Sequence, residues 1–198
     1  MNEMIQTDIG LADAIFHRRA VRRFTDQPVE PETVNQLMLA AVQAPSALNQ
    51  QPWVFAVIHG RKRLRDYSER AKEYLIKTYP TTFEVHPRSE LYENPSYDIF
   101  HGANTLIVIY ATHGRLNPNE DCCLAAENLM LAGYGMGLGT CPIGFARPWL
   151  DQFETKRELG VSEQYSAVFP MVVGYPKGLI EPVWHEKPKV VCWKWDKE

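Results

Sequence analysis

The chain has 198 residues, 45% of them hydrophobic and 23% charged, enough for one domain of ordinary size with a substantial core, and it is read as a single domain over residues 1–198. A net charge of −3 argues against general attraction to nucleic acid, and the longest apolar runs, Trp53 to Ile58 and Leu106 to Ala111, are far too short for a bilayer-spanning helix. The first ten residues lack the basic n-region of a secretory signal, so no membrane partner and a cytoplasmic location are expected. The cysteines Cys122, Cys123, Cys141 and Cys192 form neither a C-x-x-C pair nor a zinc spacing, so they read as buried free thiols, with no metal site.

In chain order, Asp8 is placed to cap a helix carrying Ile9, Leu11, Ala12, Ile15 and Phe16, which ends around the arginines 18–23. Pro31 suits the first turn of a second helix, whose apolar set is Val34, Leu37, Met38, Ala41 and Val42, and Pro45 stops it. The β-prone run Trp53 to Ile58 predicts a buried strand. A charged helix follows over about 61–79, with Leu64, Tyr67, Ala71, Leu75 and Tyr79 on one face. Residues 80–97 read as a long irregular segment of the kind that is often functional. A second buried strand is expected over 105–111, then a long apolar helix over about 120–134 whose Leu124, Asn128, Leu131 and Gly135 series suits packing against another helix. A short helix over 148–159 closes at Gly160, a third strand spans 167–174, and Val190 to Trp193 is a candidate fourth. Helices interspersed with strands indicate a sheet covered by helices without fixing the strand order.

Two segments carry the chemistry. Arg18-Arg19-Ala20-Val21-Arg22-Arg23 is a dense cationic strip; crowded guanidiniums repel unless an anion is present, and their planar forks match phosphate oxygens. If the helix continues through the strip, Arg18 and Arg22 share a face; if the chain turns extended after Arg19, alternate residues do. A solvated helix end is the plain structural alternative. The second segment, Ala44 to Trp53, is stiffened by Pro45 and Pro52 and offers Ser46, Asn49, Gln50 and Gln51, polar groups suited to the edge of a heteroaromatic ring; the alternative is a connection whose side chains cap its own backbone. Trp53 reads as core. The glycines of Gly135-x-Gly137-x-Gly139 end a helix rather than open one, so they are a helix exit and not a dinucleotide fingerprint. They lead to Pro142-Ile143-Gly144, where a bare amide can approach a ring atom. The six histidines are scattered and no nucleophile elbow is present, a pattern that fits chemistry delegated to a cofactor, with no catalytic side chain expected.

Taken together, four pieces resemble the nitroreductase family of FMN-dependent oxidoreductases. They are Arg18 to Arg22; Ala44 to Trp53; Ala126 to Ala132 with Gly137 to Thr140; and Pro142-Ile143-Gly144 with Val172 to Pro176. The resemblance implies an α+β fold, an α-β-α sandwich with a central, mostly antiparallel sheet, in an intertwined homodimer with FMN at the subunit interface. It implies that Arg18, Arg19 and Ala20 lie at the FMN phosphate and Arg22 near the flavin N1 and C2 carbonyl. Pro45, Ser46, Ala47 and Asn49 would reach the cofactor from the partner chain, and Pro142 and Ile143 would lead to the Gly144 amide facing N5. Two positions depart from the family pattern: Ala20 stands where serine is frequent, and Glu186 stands where a C-terminal basic residue usually completes the phosphate site, leaving Lys187 or, second, Lys189 for that role. The implied reaction is ping-pong, with NADH or NADPH as donor and a nitroaromatic, quinone or similar small electrophile as acceptor. Dehalogenation, flavin breakdown or non-catalytic flavin binding are alternatives. The 80–100 segment, with Phe83, His86, Tyr92 and Tyr97, is a candidate lid.

Overall fold

The computed structural model describes residues 9–79, 94 and 96–195. Asp8 and the lid candidates Phe83, His86 and Tyr92 lie outside these residues. The helices are α1 (Leu11–His17), α2 (Pro31–Ala41), α3 (Arg61–Thr78), α4 (Pro118–Gly135), α5 (Arg147–Leu150) and α6 (Phe153–Glu158). The strands are β1 (Trp53–His59), β2 (Thr105–Ala111), β3 (Gly139–Pro142) and β4 (Ser166–Gly174). They form one sheet in the order β1-β2-β4-β3, with every neighbouring pair antiparallel. This is the α+β class expected from the sequence.

β2 is buried along its whole length, which is why it reads as an unbroken apolar run. Leu106, Val108 and Tyr110 join the core formed with α3 and α5, while Ile107, Ile109 and Ala111 join the core formed with α2 and α4. A bulge shifts the register between Ile109 and Tyr110: Ile109 faces Phe169, but Tyr110 faces Ala167. The additional residue, Val168, reverses the parity of β4, so Ala167 and Val172 share one core whereas Val168 and Val173 share the other. Pro31 opens α2 and Pro118 opens α4, positions where a missing N–H costs nothing. Asn128 ties these two helices by donating to the Ala40 carbonyl at 3.3 Å. No helix among the described residues is long and apolar enough to cross a membrane.

Four expectations are corrected. The fourth strand is β3, not Val190 to Trp193, which lies in an extended, exposed tail. The short edge strand was hidden in the sequence by its glycine and proline. The 148–159 helix is two helices, α5 and α6, separated by Asp151 and Gln152. The apolar set of α1 does not face this chain's core: only Ala14 is buried, while Leu11 is 69% and Phe16 71% exposed. Cys122 and Cys141 are buried, but Cys123 and Cys192 are exposed.

On the α3 face, Tyr67 donates to Glu158 at 2.8 Å, and Arg70 reaches the same carboxylate at 2.6 Å while stacking over Trp149. The Arg70 hydrogen bond holds the Glu158 carboxyl below its ordinary value, and burial together with the Glu158 bond pushes Tyr67 up to about 12. A carboxyl whose folded pKa is depressed stabilises the fold above its unfolded pKa, and that contribution disappears as pH falls through the folded pKa. Because Glu158 is partly solvated, Glu158→Gln is expected to cost about 1 kcal/mol at pH 7. The melting-temperature difference from the parent should close as the pH is taken below the ordinary carboxylate range; a constant offset in thermal melts across that range would refute the assignment.

Candidate active site

The cationic strip takes the extended alternative. α1 ends at His17, and the Arg19 guanidinium caps it by donating to the carbonyls of Phe16 at 2.8 Å and Arg18 at 2.7 Å. The chain then runs along the free edge of β3. Ala20 bridges Thr140 in parallel, with Val21 N donating to the Thr140 carbonyl at 2.9 Å, and Phe24 bridges Pro176 just beyond β4. Two glycines permit this contact. A Cβ on Gly139 would lie 2.6 Å from the Val21 side chain, and one on Gly174 would lie 2.8 Å from the Phe24 ring. Gly139 and Gly174 therefore form the docking surface for the arginine strip.

Docking creates a cleft of about 510 Å³ between the strip and the segment after β4. Arg18, Arg19, Arg22 and Arg23 line it with Lys177, against one carboxylate, Glu181. The Nε atoms of Arg18 and Arg19 are buried and make no hydrogen bond; Glu127 stands 3.4 Å from Arg18 Nε and offsets part of the charge. Buried donors are normally satisfied, so an excess of cations, with Arg19 Nε unpartnered and Arg18 Nε held only by an ion pair, is the donor set of an anion site.

A second cavity of about 400 Å³ lies beside the first. Arg22 lines both, so the two adjoin at one residue. The remaining lining is Cys141, Pro142, Ile143, Gly144 and Phe145 from the end of β3 and the turn after it, together with Tyr97, Ile99 and His101 from the segment before β2. Pro170 shapes it: Ile143 N donates to the Pro170 carbonyl at 2.8 Å, but Pro170 has no N–H to return, so the Ile143 carbonyl accepts from Ala146 N instead. The ladder stops there, and Gly144 becomes the first residue of a 3-10 turn, whose N–H has no partner within the turn. A Cβ on Gly144 would meet no protein atom within 4 Å.

The structure thus brings together Arg18, Arg19, Ala20, Arg22, Pro142, Ile143 and Gly144. It does not bring the other candidates to them within one chain. Pro45, Ser46, Ala47 and Asn49 precede β1, on the opposite edge of the sheet, and lie about 20 Å along the strand direction from the level at which Ala20 meets β3. Their loop is built by its own contacts. Ala47 N donates to the buried Asp121 carboxylate at 3.1 Å, Gln51 N donates to Ser46 Oγ at 3.0 Å, and Leu116 N donates to Gln50 Oε1 at 2.9 Å. Leu48, Asn49 and Gln51 all have left-handed backbone, with φ of 51°, 52° and 47°. Lys187 and Lys189 do not line the arginine cleft; Lys189 pairs with Glu186 at 3.2 Å in the exposed tail. Sequence reasoning missed Lys177, which the Phe24–Pro176 bridge brings to the cleft, and His101, whose His-Gly turn signal was passed over.

Residues 15–175 match the family model described as Nitroreductase family. A nitrobenzene nitroreductase of Ectopseudomonas oleovorans is 31% identical over 198 aligned residues, covering 82% of this chain and 85% of that relative. An FMN reductase (NADPH) of Bacillus subtilis is 26% identical over 179 residues, covering 90% and 68%. Among solved structures, a nitroreductase with bound FMN from Bacteroides fragilis superposes with a TM-score of 0.82 at 21% identity, over 94% of this chain and 100% of that one.

The anion assignment depends on fork geometry as well as charge. Arg19→Lys keeps the cation but loses the planar fork, and is expected to weaken binding of inorganic phosphate about tenfold. Calorimetric titration checks this, and equal affinity in parent and variant would overturn it.

Proposed function

Because the chain belongs to the nitroreductase family, we propose that it is an FMN-dependent oxidoreductase that takes hydride from NADH or NADPH and delivers it to a nitroaromatic, quinone or similar electrophile by a ping-pong route. The observation that carries this reading is the junction at Arg22 of a cation-rich cleft with a cavity beneath the Gly144 amide. A phosphorylated ring cofactor has this shape: an anionic end and a flat, polar-edged end. The buried Nε atoms of Arg18 and Arg19, neither of which makes a hydrogen bond, fit the phosphate.

FMN, when bound, supplies the two-electron chemistry that no side chain here offers. The protein's part is binding, orientation and electrostatics. Arg18 and Arg19, with Lys177, hold the phosphate, and Ala20 keeps the strip close against Thr140. Arg22 places a fixed positive charge where reduction accumulates negative charge, which costs no reorganisation at the moment of transfer. Gly144 offers a bare N–H, and its missing side chain leaves room for a ring to approach.

The working form in this reading is a homodimer. The Pro45 to Asn49 loop is tied down by its own hydrogen bonds, exposes Pro45 and Asn49, and is too distant to serve its own cleft, so in this reading it serves the partner's. The exposed apolar surface of α1 and of the tail supports the same conclusion: Trp184 is 80% and Trp193 74% exposed, more than an isolated chain normally leaves in water. Lys187 or Lys189 would then complete a phosphate site once the tail is seated against the second copy.

The test is the visible spectrum of the purified protein, followed by anaerobic addition of NADPH and then NADH. Flavin bands that bleach with either nucleotide are expected; a protein that is colourless and refuses added FMN would overturn the reading. Gly144→Ala should melt within about 1 °C of the parent, since no atom opposes the new methyl group. Its turnover with NAD(P)H should nevertheless fall at least about tenfold. Unchanged turnover in steady-state assays would remove Gly144 from the site.

A further inference from the structure

The Tyr97, Ile99 and His101 part of the Gly144 cavity wall belongs to a short, heavily braced segment. Asp98 braces it from within: its carboxylate accepts from Phe100 N and Gly102 N, both at 2.9 Å, and its carbonyl accepts from His101 N at 2.9 Å. The result is two successive left-handed residues, His101 with φ 57° and Gly102 with φ 70°. A non-glycine residue in that region is held at a cost, and such strain clusters at functional positions. His101 lines the cavity, and its imidazole stands edge-on to the Tyr97 ring at 6.3 Å between centroids.

The same segment is braced from outside by α3. Ser68, fully buried, accepts from Ile99 N at 3.0 Å. Lys72 is buried as well, and its ammonium reaches the Tyr97 carbonyl at 2.8 Å, the Asn94 carbonyl at 3.3 Å and Glu69 Oε2 at 3.0 Å. An ammonium has three donors, and this one uses each. Burying it costs far more than burying the leucine that would fill the same apolar stripe between Ala71 and Leu75. The lysine's distinctive contribution is directional: it fixes two carbonyls, those of Asn94 and Tyr97, at the entry to the cavity wall.

We propose that the Tyr97–His101 wall selects the electron acceptor, admitting flat aromatic molecules between its rings and a flavin held at the Gly144 side, and that Lys72 is the positioning residue that sets the wall. This rests on the oxidoreductase reading given above. A planar acceptor meets the edges of Tyr97 and His101 on one side, an arrangement aromatic rings favour. A wall that shifts by an ångström loses that fit without removing any reacting group.

The experiment compares the parent holoenzyme with Lys72→Met, Ser68→Ala and His101→Ala, using nitrobenzene and 2-methyl-1,4-naphthoquinone as probes. Dissociation constants are measured calorimetrically on the oxidised enzyme without nicotinamide nucleotide, alongside KM, kcat, flavin content and hydrogen exchange over 97–102. In Lys72→Met the Ile99 amide should exchange faster, and Kd and KM for both probes should rise about tenfold, with kcat at saturation within about a factor of two and flavin content at the parent level. His101→Ala should raise Kd without faster exchange. If Lys72→Met exchanges faster and melts lower but binds both probes as the parent does, the lysine is merely structural and the proposal fails. If flavin is lost in step with acceptor affinity, the wall serves the cofactor and the proposal fails too. Should Lys72→Met not fold, Ser68→Ala decides by the same criteria. A parent protein that neither holds flavin nor is reduced by either nucleotide overturns the functional reading itself, a result distinct from either failure of the wall.

Discussion

The site depends on one close approach: an arginine-rich strip lying against the bare edge of a short strand. Four guanidiniums in six residues repel one another, and left to themselves would spread into solvent. They remain together because Val21 and Phe24, the apolar residues between and after them, are buried, and because Gly139 and Gly174 present no side chain to obstruct them. Burying a valine and a phenylalanine contributes on the order of 2 kcal/mol each. That gain holds the cations at fixed spacing before any anion arrives, so a ligand meets a preorganised field and not a loose brush.

Much of this was legible in the sequence, for identifiable reasons. The continuous apolar runs of β1 and β2, the Pro31 start of α2 and the period of α3 carry strong local signals, and the structure follows them. The arginine strip was legible as an anomaly of charge, and Gly144 as a bare amide after a helix exit. β3 was not legible as a strand, because Gly139 and Pro142 are poor strand residues; it forms through its pairing with β4, a long-range contact that no local window contains. The Val190 to Trp193 run erred in the opposite direction, having strand-like composition and no partner strand among the described residues.

The site residues divide along the same line. Those on or beside β3 come together because local features, two glycines and a proline, place them. The Pro45 to Asn49 loop has polar residues that read equally well as ligands or as caps, and the structure shows Ser46 and Gln50 acting as caps within the chain. His101 and Lys72 were invisible as a unit, because the contacts that join α3 to the turn before β2 span some thirty residues of sequence. A lysine in a helical stripe otherwise made of Leu64, Ala71 and Leu75 looks like a solvated exception until its buried partners are known.

Pro170 has a further consequence. Because its nitrogen carries no hydrogen, the sheet acquires a fixed stop on the β3 side, and β3 has one usable alignment against β4. Sliding β3 by two residues would set a carbonyl opposite that ring and leave it without a donor, at a cost of roughly 1–3 kcal/mol. The alignment of the sheet edge, and with it the height of Gly144 above the arginine cleft, is therefore protected against slippage by a single imino acid in the centre of the fold. Strands that lack such a stop hold their alignment only through side-chain pattern; here the backbone itself encodes it.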